Sequence, residues 1–288
     1  MFIRKEARLL HGRFVPIVFG AFVAAAGFAP AAHAITARDP ISYIIDQLNP
    51  LLPDFKTPKG FRVKVGGVAG FTPSFEGSSD YHLRFAPTLD IIYRDRVFLN
   101  STRLRINFLP SGNVRGGFQL KYRAGRNERV SEDLTGLGNV GSSWEAGAYI
   151  EARLHSTLIS ADITHDIGGG HQSTLATLLI GQGLYMDDNT LIGAGVNVHW
   201  AGRNYMNAFF GITPAQSAAS GLPIFTAGSG FKDVGLLLYW RQSFGEHLVL
   251  MTNITLKHML DAANDSPLVQ QRGDPKQLIS SVAFRYEF

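Results

Sequence analysis

The chain has 288 residues, 27 Lys+Arg against 23 Asp+Glu, and no cysteine, which excludes a disulfide framework and a thiolate zinc site. Four of the basic residues and one acidic residue fall in the first 34 positions, and without them the balance is 23 to 22. The basic excess is therefore a property of the leading segment and gives no support for a nucleic-acid partner.

Residues 1–34 read as an export signal. Arg4, Lys5, Arg8 and Arg13 precede an apolar run from Val15 to Phe28, and Ala32-His33-Ala34 supplies the small-x-small pattern of a signal-peptidase site. The run is too short and too close to that site for a transmembrane helix, so cleavage is expected after Ala34. Residues 35–60 carry Pro40, Pro50, Pro53 and Pro58 around a short apolar patch, Tyr43 to Ile45. They read as a periplasmic lead-in to a single domain, 61–288.

From Phe61 onward the pattern is period-2 alternation in blocks of the length a tilted strand needs to cross a bilayer. Leu83, Phe85, Leu89, Ile91 and Tyr93 oppose His82, Arg84, Thr88 and Asp90. Phe118, Leu120 and Tyr122 oppose Gln119, Lys121 and Arg123. Trp144 through Leu154 alternates against Glu145, Tyr149, Glu151 and Arg153, and Leu278, Val282, Phe284, Tyr286 and Phe288 form one face of the last block. After the leader no apolar run is long enough for a helical span, so a membrane crossing must use strands closed into a barrel.

The blocks fall near 61–71, 81–93, 97–108, 114–125, 143–154, 157–167, 172–184, 190–201, 204–212, 231–243, 247–260 and 277–288. This predicts an all-β, transmembrane, antiparallel up-and-down barrel of about twelve strands, an even number as such barrels require. Aromatic residues near block ends (Phe61, Phe71, Tyr93, Phe98, Trp144, Trp200, Trp240, Phe244, Phe288) suit interfacial girdles. The last strand ends in Tyr286 and Phe288, the kind of terminal aromatic signal read by the barrel-assembly machinery. Outer-membrane lipid is then the surrounding solvent, and the cell outer membrane the expected location. With both ends of the barrel chain in the periplasm, this strand count puts 213–230 and 261–276 outside. It puts the turns at 94–96, 168–171 and 201–203, and the long stretch Gly125 to Ser142, in the periplasm.

The charged set expected to line the lumen comprises Arg84, Arg103, Arg105, Lys121, Arg123 and Arg153 with Glu145, Glu151 and Asp162. As a pore wall it would favour anions; its mixed signs on neighbouring strands suit a salt-bridged filling better. His165 and His171 match no standard zinc spacing, and no cofactor site is expected. G-x-S-x-G is absent, and His155-Ser156, adjacent on one strand, would point to opposite faces. No enzyme activity is expected.

Several phrases in fixed order carry a resemblance. They are Phe75-Glu76-Gly77-Ser78-Ser79-Asp80-Tyr81, Leu134-Thr135-Gly136-Leu137-Gly138 before Glu145-Ala146-Gly147-Ala148, and Asp166-Ile167-Gly168-Gly169-Gly170-His171. Phe209-Phe210-Gly211-Ile212-Thr213, Asp265-Ser266-Pro267-Leu268-Val269 and Phe284-Arg285-Tyr286-Glu287-Phe288 follow. Over nearly the whole mature chain the sequence resembles the MltA-interacting protein/OmpV family of outer-membrane proteins. The resemblance implies a scaffold linking a lytic transglycosylase to a peptidoglycan synthase at the periplasmic face, with Gly170 in a structural hairpin turn. A narrow porin-like diffusion channel is the alternative it also implies. The 125–142 loop, carrying Arg126, Glu128, Arg129, Glu132 and Asp133, is the expected partner surface.

Overall fold

The computed structural model describes residues 60–109 and 112–288, so the expected leader and the lead-in up to position 59 lie outside the described residues. Twelve strands follow in chain order: β1 Phe61–Pro73, β2 Tyr81–Tyr93, β3 Val97–Asn100, β4 Arg103–Asn107, β5 Val114–Arg123, β6 Ser143–Leu154, β7 Thr157–Asp166, β8 Thr174–Met186, β9 Thr190–Ala201, β10 Gly230–Phe244, β11 Leu248–Met259 and β12 Lys276–Glu287. Each pairs antiparallel with its chain neighbour, and β12 returns to β1 from Lys64↔Glu287 to Phe71↔Ser280, closing the barrel.

The alternation sorts side chains as the sequence predicts. On β2, Leu83, Phe85 and Leu89 are 41%, 53% and 40% exposed, whereas Arg84, Thr88 and Asp90 between them are 3%, 7% and 6%. The outward belt continues through Phe118, Ile150, Ile163, Ile180, Leu238 and Phe284. Each such side chain forgoes about 1.5–3 kcal/mol if it stays in water, and the charged interior rules out an inverted, water-facing arrangement. The surface is built for lipid.

Two strands differ from expectation, and the differences compensate in number. The block 97–108 is a hairpin of two short strands, reversed at Ser101, whose φ is 37°. Phe98 consequently faces the lumen, under the Arg115 guanidinium, and belongs to no girdle. The block 204–212 is a helix, α1 Arg203–Phe210. Its buried residues, Tyr205, Met206, Phe209 and Phe210, recur at helical spacing. One strand is gained and one lost, so every connection between them changes sides. The loop 125–142 and the turns at 168–171 and 201–203 lie at the end opposite Gly60 and Phe288. We call that end distal and the other proximal. A proximal end in the periplasm puts the 125–142 loop outside, not in the periplasm.

The distal connections fold together as a cap. Besides α1 it contains α2 Pro214–Ser220, α3 Asp261–Asn264, α4 Pro267–Arg272 and two 3-10 turns, Glu128–Val130 and Glu132–Leu134. One apolar cluster joins the α1 face to Leu175, Ala201, Met259, Ala263 and Val269. A second joins Phe75, Leu134, Leu137, Ile212, Leu222 and Leu268. The backbone bridge Ser78↔Gly273 ties the first loop to the last, while Arg126↔Val140 and Ile212↔Phe225 each close a loop on itself.

Two glycines permit this packing. A Cβ on Gly170 would meet the carbonyl oxygens of Gly141 and Ser142 at 2.7 Å, so this glycine serves a close loop-to-loop approach. Gly136 has φ +85°, and a Cβ there would lie 2.6 Å from the Ala219 backbone. Gly136→Val is expected to lower stability by about 2 kcal/mol, read as an earlier thermal transition of the folded barrel in detergent.

Candidate functional site: the capped lumen

The junction of cap and barrel is an ionic network assembled from remote parts of the chain. Glu76, in the β1–β2 loop, takes Lys232 Nζ of β10 at 2.6 Å on one oxygen and the Tyr205 hydroxyl of α1 at 3.0 Å on the other. Lys232 also meets Asp233 Oδ2 at 2.9 Å, while His199 Nδ1 lies 2.6 Å from Asp233 Oδ1. A bulge between Phe231 and Asp233 shifts the register there, and the consecutive Lys232 and Asp233 are both buried. Burial alone would raise the Glu76 carboxyl, but Lys232 and Lys257 outweigh it and hold the pKa at about 2. Burial, and then the adjacent Glu76, push the Tyr205 hydroxyl upward.

Beneath this network a cavity of about 690 Å³ runs down the barrel, from Tyr205 and Lys232 to Asp188 and Asn189 in the proximal β8–β9 turn. Of the residues expected to line the lumen, Arg103, Arg105, Lys121, Arg123, Glu145, Glu151, Arg153 and Asp162 do so. Arg84 does not: it is buried near the distal rim, donating to Thr72 Oγ1, to the Pro73 carbonyl at 2.8 Å and to that of Ser74 at 3.3 Å. The walls are laced with ion pairs: Arg105–Glu151 at 2.5 Å, Arg285–Asp90 at 2.5 Å, Arg115–Asp95 at 2.9 Å and Arg123–Glu145. Arg105 additionally lies over the Tyr149 ring at 4.3 Å. Opposite charges paired across a narrow interior offset most of the cost of desolvating them.

The expected partner residues separate. Arg126 is a buried strut of the cap, donating to the Phe209 carbonyl at 2.6 Å. Burial lowers its pKa to about 10, against the pull of Tyr205 and Glu128. Glu128 accepts from the Gly136 amide, and Asp133 is half-buried beside Ser131. Arg129 and Glu132 remain exposed, on the distal surface. Tyr286 and Phe288 point outward at the proximal rim in edge contact, their ring centroids 4.9 Å apart. His165 and His171 do not converge. His165 is exposed beside Thr174, whereas His171 is buried with Nε2 3.1 Å from Glu145. Among the described residues no cluster suited to a metal ion occurs.

The Glu76–Lys232–Tyr205 network escaped the sequence reading. Glu76 lies in a loop, Tyr205 in a segment read as strand, and a bulge at Lys232 leaves no mark in composition.

A family model described as MltA-interacting protein MipA matches residues 65–288. No curated protein matches the chain. Among solved structures, the COG4313 outer membrane channel from Pseudomonas putida F1 is 11% identical, with 83% of this chain and 100% of that one covered, at a TM-score of 0.43. A bacterial polysaccharide outer membrane secretin is 10% identical over 80% and 98%, at 0.41. The CymD monoaromatic hydrocarbon channel is 11% identical over 81% and 90%, at 0.39.

Proposed function

Because this chain belongs to the MltA-interacting protein MipA family, matched over residues 65–288, we propose that it is a non-enzymatic outer-membrane scaffold. In this reading the barrel, exported by a cleaved signal peptide, holds a lytic transglycosylase of the MltA kind at its periplasmic face and brings a peptidoglycan synthase to the same place. The family match carries the partner. The cap supports docking over a standing diffusion channel, since two apolar clusters and an ionic latch bind the distal loops together at that end of the lumen.

The docking face is then the proximal rim and not the 125–142 loop. The rim presents exposed Arg94 and Arg96 in the β2–β3 turn and exposed Asp188 and Glu246 in two others. Such a mixed-charge ring selects a partner by complementarity and speeds encounter. Capture of a purified MltA-type transglycosylase by the folded, solubilised barrel tests this reading. Arg94→Glu with Arg96→Glu should weaken capture about tenfold, whereas Arg129→Glu with Glu132→Lys at the distal surface should leave it unchanged. The reverse pattern would overturn the assignment of faces, and no capture by the unaltered barrel would overturn the scaffold.

A further inference from the structure

The barrel wall is incomplete on one side. β3 pairs with β2 only from Asp90 to Tyr93, and β4 with β5 only from Arg103 to Asn107, so their hairpin stops partway up the wall. At its tip the Ser101 amide donates to the Leu89 carbonyl at 2.8 Å, and the Ser101 hydroxyl accepts from the Leu89 amide at 3.2 Å. From there to Tyr81, β2 is paired with β1 alone. Strand backbone groups alternate in direction, so those of Leu83, Phe85 and Pro87 point as Leu89 does, into the opening. Among the described residues they meet no backbone partner on that side. Pro87 suits the place, since anywhere but at an edge it would remove a ladder bond. β2 and β5 stand about 14 Å apart at the tip, with β3 and β4 still between them. The opening lies at membrane depth. Phe61 with Tyr93 proximally, and Phe71 with Tyr81 distally, form two aromatic pairs on the outer face. The tilted strand between them covers about 25 Å, the height of the apolar band of such barrels.

An open sheet edge persists at that depth only where it lines water, so the opening and the lumen must be continuous. Asn100 and Arg103, on either side of the tip, and Lys121 and Arg123, beside it on β5, all line the cavity. On the far side of the ring, Leu191 of β9, Leu237 and Tyr239 of β10, and Val249 and Met251 of β11 line the same cavity. Barrel interiors are polar as a rule, and this sector is an exception, packed into the apolar clusters of the inner wall. We propose that the opening is a portal through which a single-chain amphiphile passes from the distal leaflet into the lumen. The polar head crosses the hydrated edge and rests among the charged residues of β4 to β6, while the chain lies on the apolar wall of β9 to β11. The chain exchanges one apolar surface for another, so entry costs it little, and the head joins an ionic lining that offers charge-assisted hydrogen bonds. A cavity of about 690 Å³ is within the range of small-molecule pockets. The portal is independent of the docking reading, because it lies in the wall of the barrel and not on its rim.

The test reconstitutes the folded barrel in phospholipid bilayers with a fatty acid that carries a photoactivatable diazirine near its chain end. Sites of attachment are read by mass spectrometry. Attachment should appear on the outer belt, as at Phe85 and Leu89, and also on the inner wall at Tyr239 and Met251. Excess laurate should suppress the inner sites alone. The chain has no cysteine, so Phe85→Cys with Tyr122→Cys, on the two banks of the opening, supplies a unique pair. Bridging that pair with a bifunctional maleimide after folding should remove most of the inner attachment and leave the belt unchanged. Leu237→Gln with Met251→Gln should lower attachment at Tyr239 about tenfold. Polar interiors are normal in such barrels, and the bridged pair stands in should this variant fail to fold. An inner wall without attachment, or with attachment that laurate does not suppress, overturns the proposal. Inner attachment that survives the bridge overturns the portal and places entry at the proximal end. Equal attachment in the Leu237→Gln, Met251→Gln barrel overturns the apolar site.

Discussion

Replacing Lys232 with methionine is expected to unlatch the cap and to cost about 3–5 kcal/mol of stability. The substitution keeps the aliphatic stem but strands one buried and one largely buried carboxylate, since Asp233 and Glu76 lie 2.9 and 2.6 Å from the lost ammonium. Asp233 retains His199 at 2.6 Å and Lys257 at 3.7 Å. Glu76 retains the Tyr205 hydroxyl as its partner within the network, too little for an anion so largely removed from water. Its escape is to leave the junction, which pulls the β1–β2 loop away from α1. Limited proteolysis should then cut the 125–142 loop, protected in the unaltered protein by the packing of Leu134 and Leu137. In planar bilayers the variant should conduct discretely where the parent is silent. Adding Glu76→Gln should restore part of the loss, because a neutral amide can remain buried beside Tyr205. A Lys232→Met barrel with unchanged protease resistance and unchanged unfolding would show that the apolar clusters hold the cap without the latch.

Acid is expected to loosen the same junction, with a sign set by the depressed carboxyl. A group whose folded pKa lies below its unfolded value contributes stability that is complete above the unfolded value and is lost as pH falls through the folded one. For Glu76 the window runs from its ordinary 4.5 down to about 2. A displacement of that size corresponds to roughly 3 kcal/mol. Unfolding in denaturant at stepwise lower pH should therefore show stability constant above pH 5 and falling below 4.5. Glu76→Gln should flatten that portion of the curve. A decline in Glu76→Gln as steep as in the parent would assign the acid sensitivity to other carboxylates.

Much of the barrel was legible because its signal is local. On β2 and β6 the outward residues are mainly apolar and the inward ones mainly polar, as a closed barrel in lipid demands, whereas β12 turns Ile279 and Ala283 inward onto an apolar patch of the lumen wall. The hairpin at Ser101 also left a mark that block-counting overlooked. The inward residues are even-numbered at Phe98 and Asn100 and odd-numbered at Arg103 and Arg105, a parity change that a two-residue turn produces. The helix α1 was harder. Tyr205, Met206, Phe209 and Phe210 are compatible with an aromatic strand, and their helical spacing matters only because neighbouring loops supply a surface to bury them. These two local errors reversed the side assigned to the 125–142 loop, and with it the expected docking face. The latch was illegible for a different reason. Glu76 and Lys232 are brought together by barrel closure and by a bulge, neither of which a window of sequence contains.

The cap also keeps time. Its second apolar cluster draws on Phe75 from the first connection and Leu268 from the last, and on Leu134 and Ile212 between them. Contacts so distant along the chain are slow to form, because the loop they close must first be brought together by other means. Here the means is the seam between β1 and β12, which delivers both ends of the cluster to one place. Maturation is therefore expected to be ordered, the seam closing before the cap condenses. Resistance of the distal loops to protease becomes a clock that starts when the barrel has finished closing.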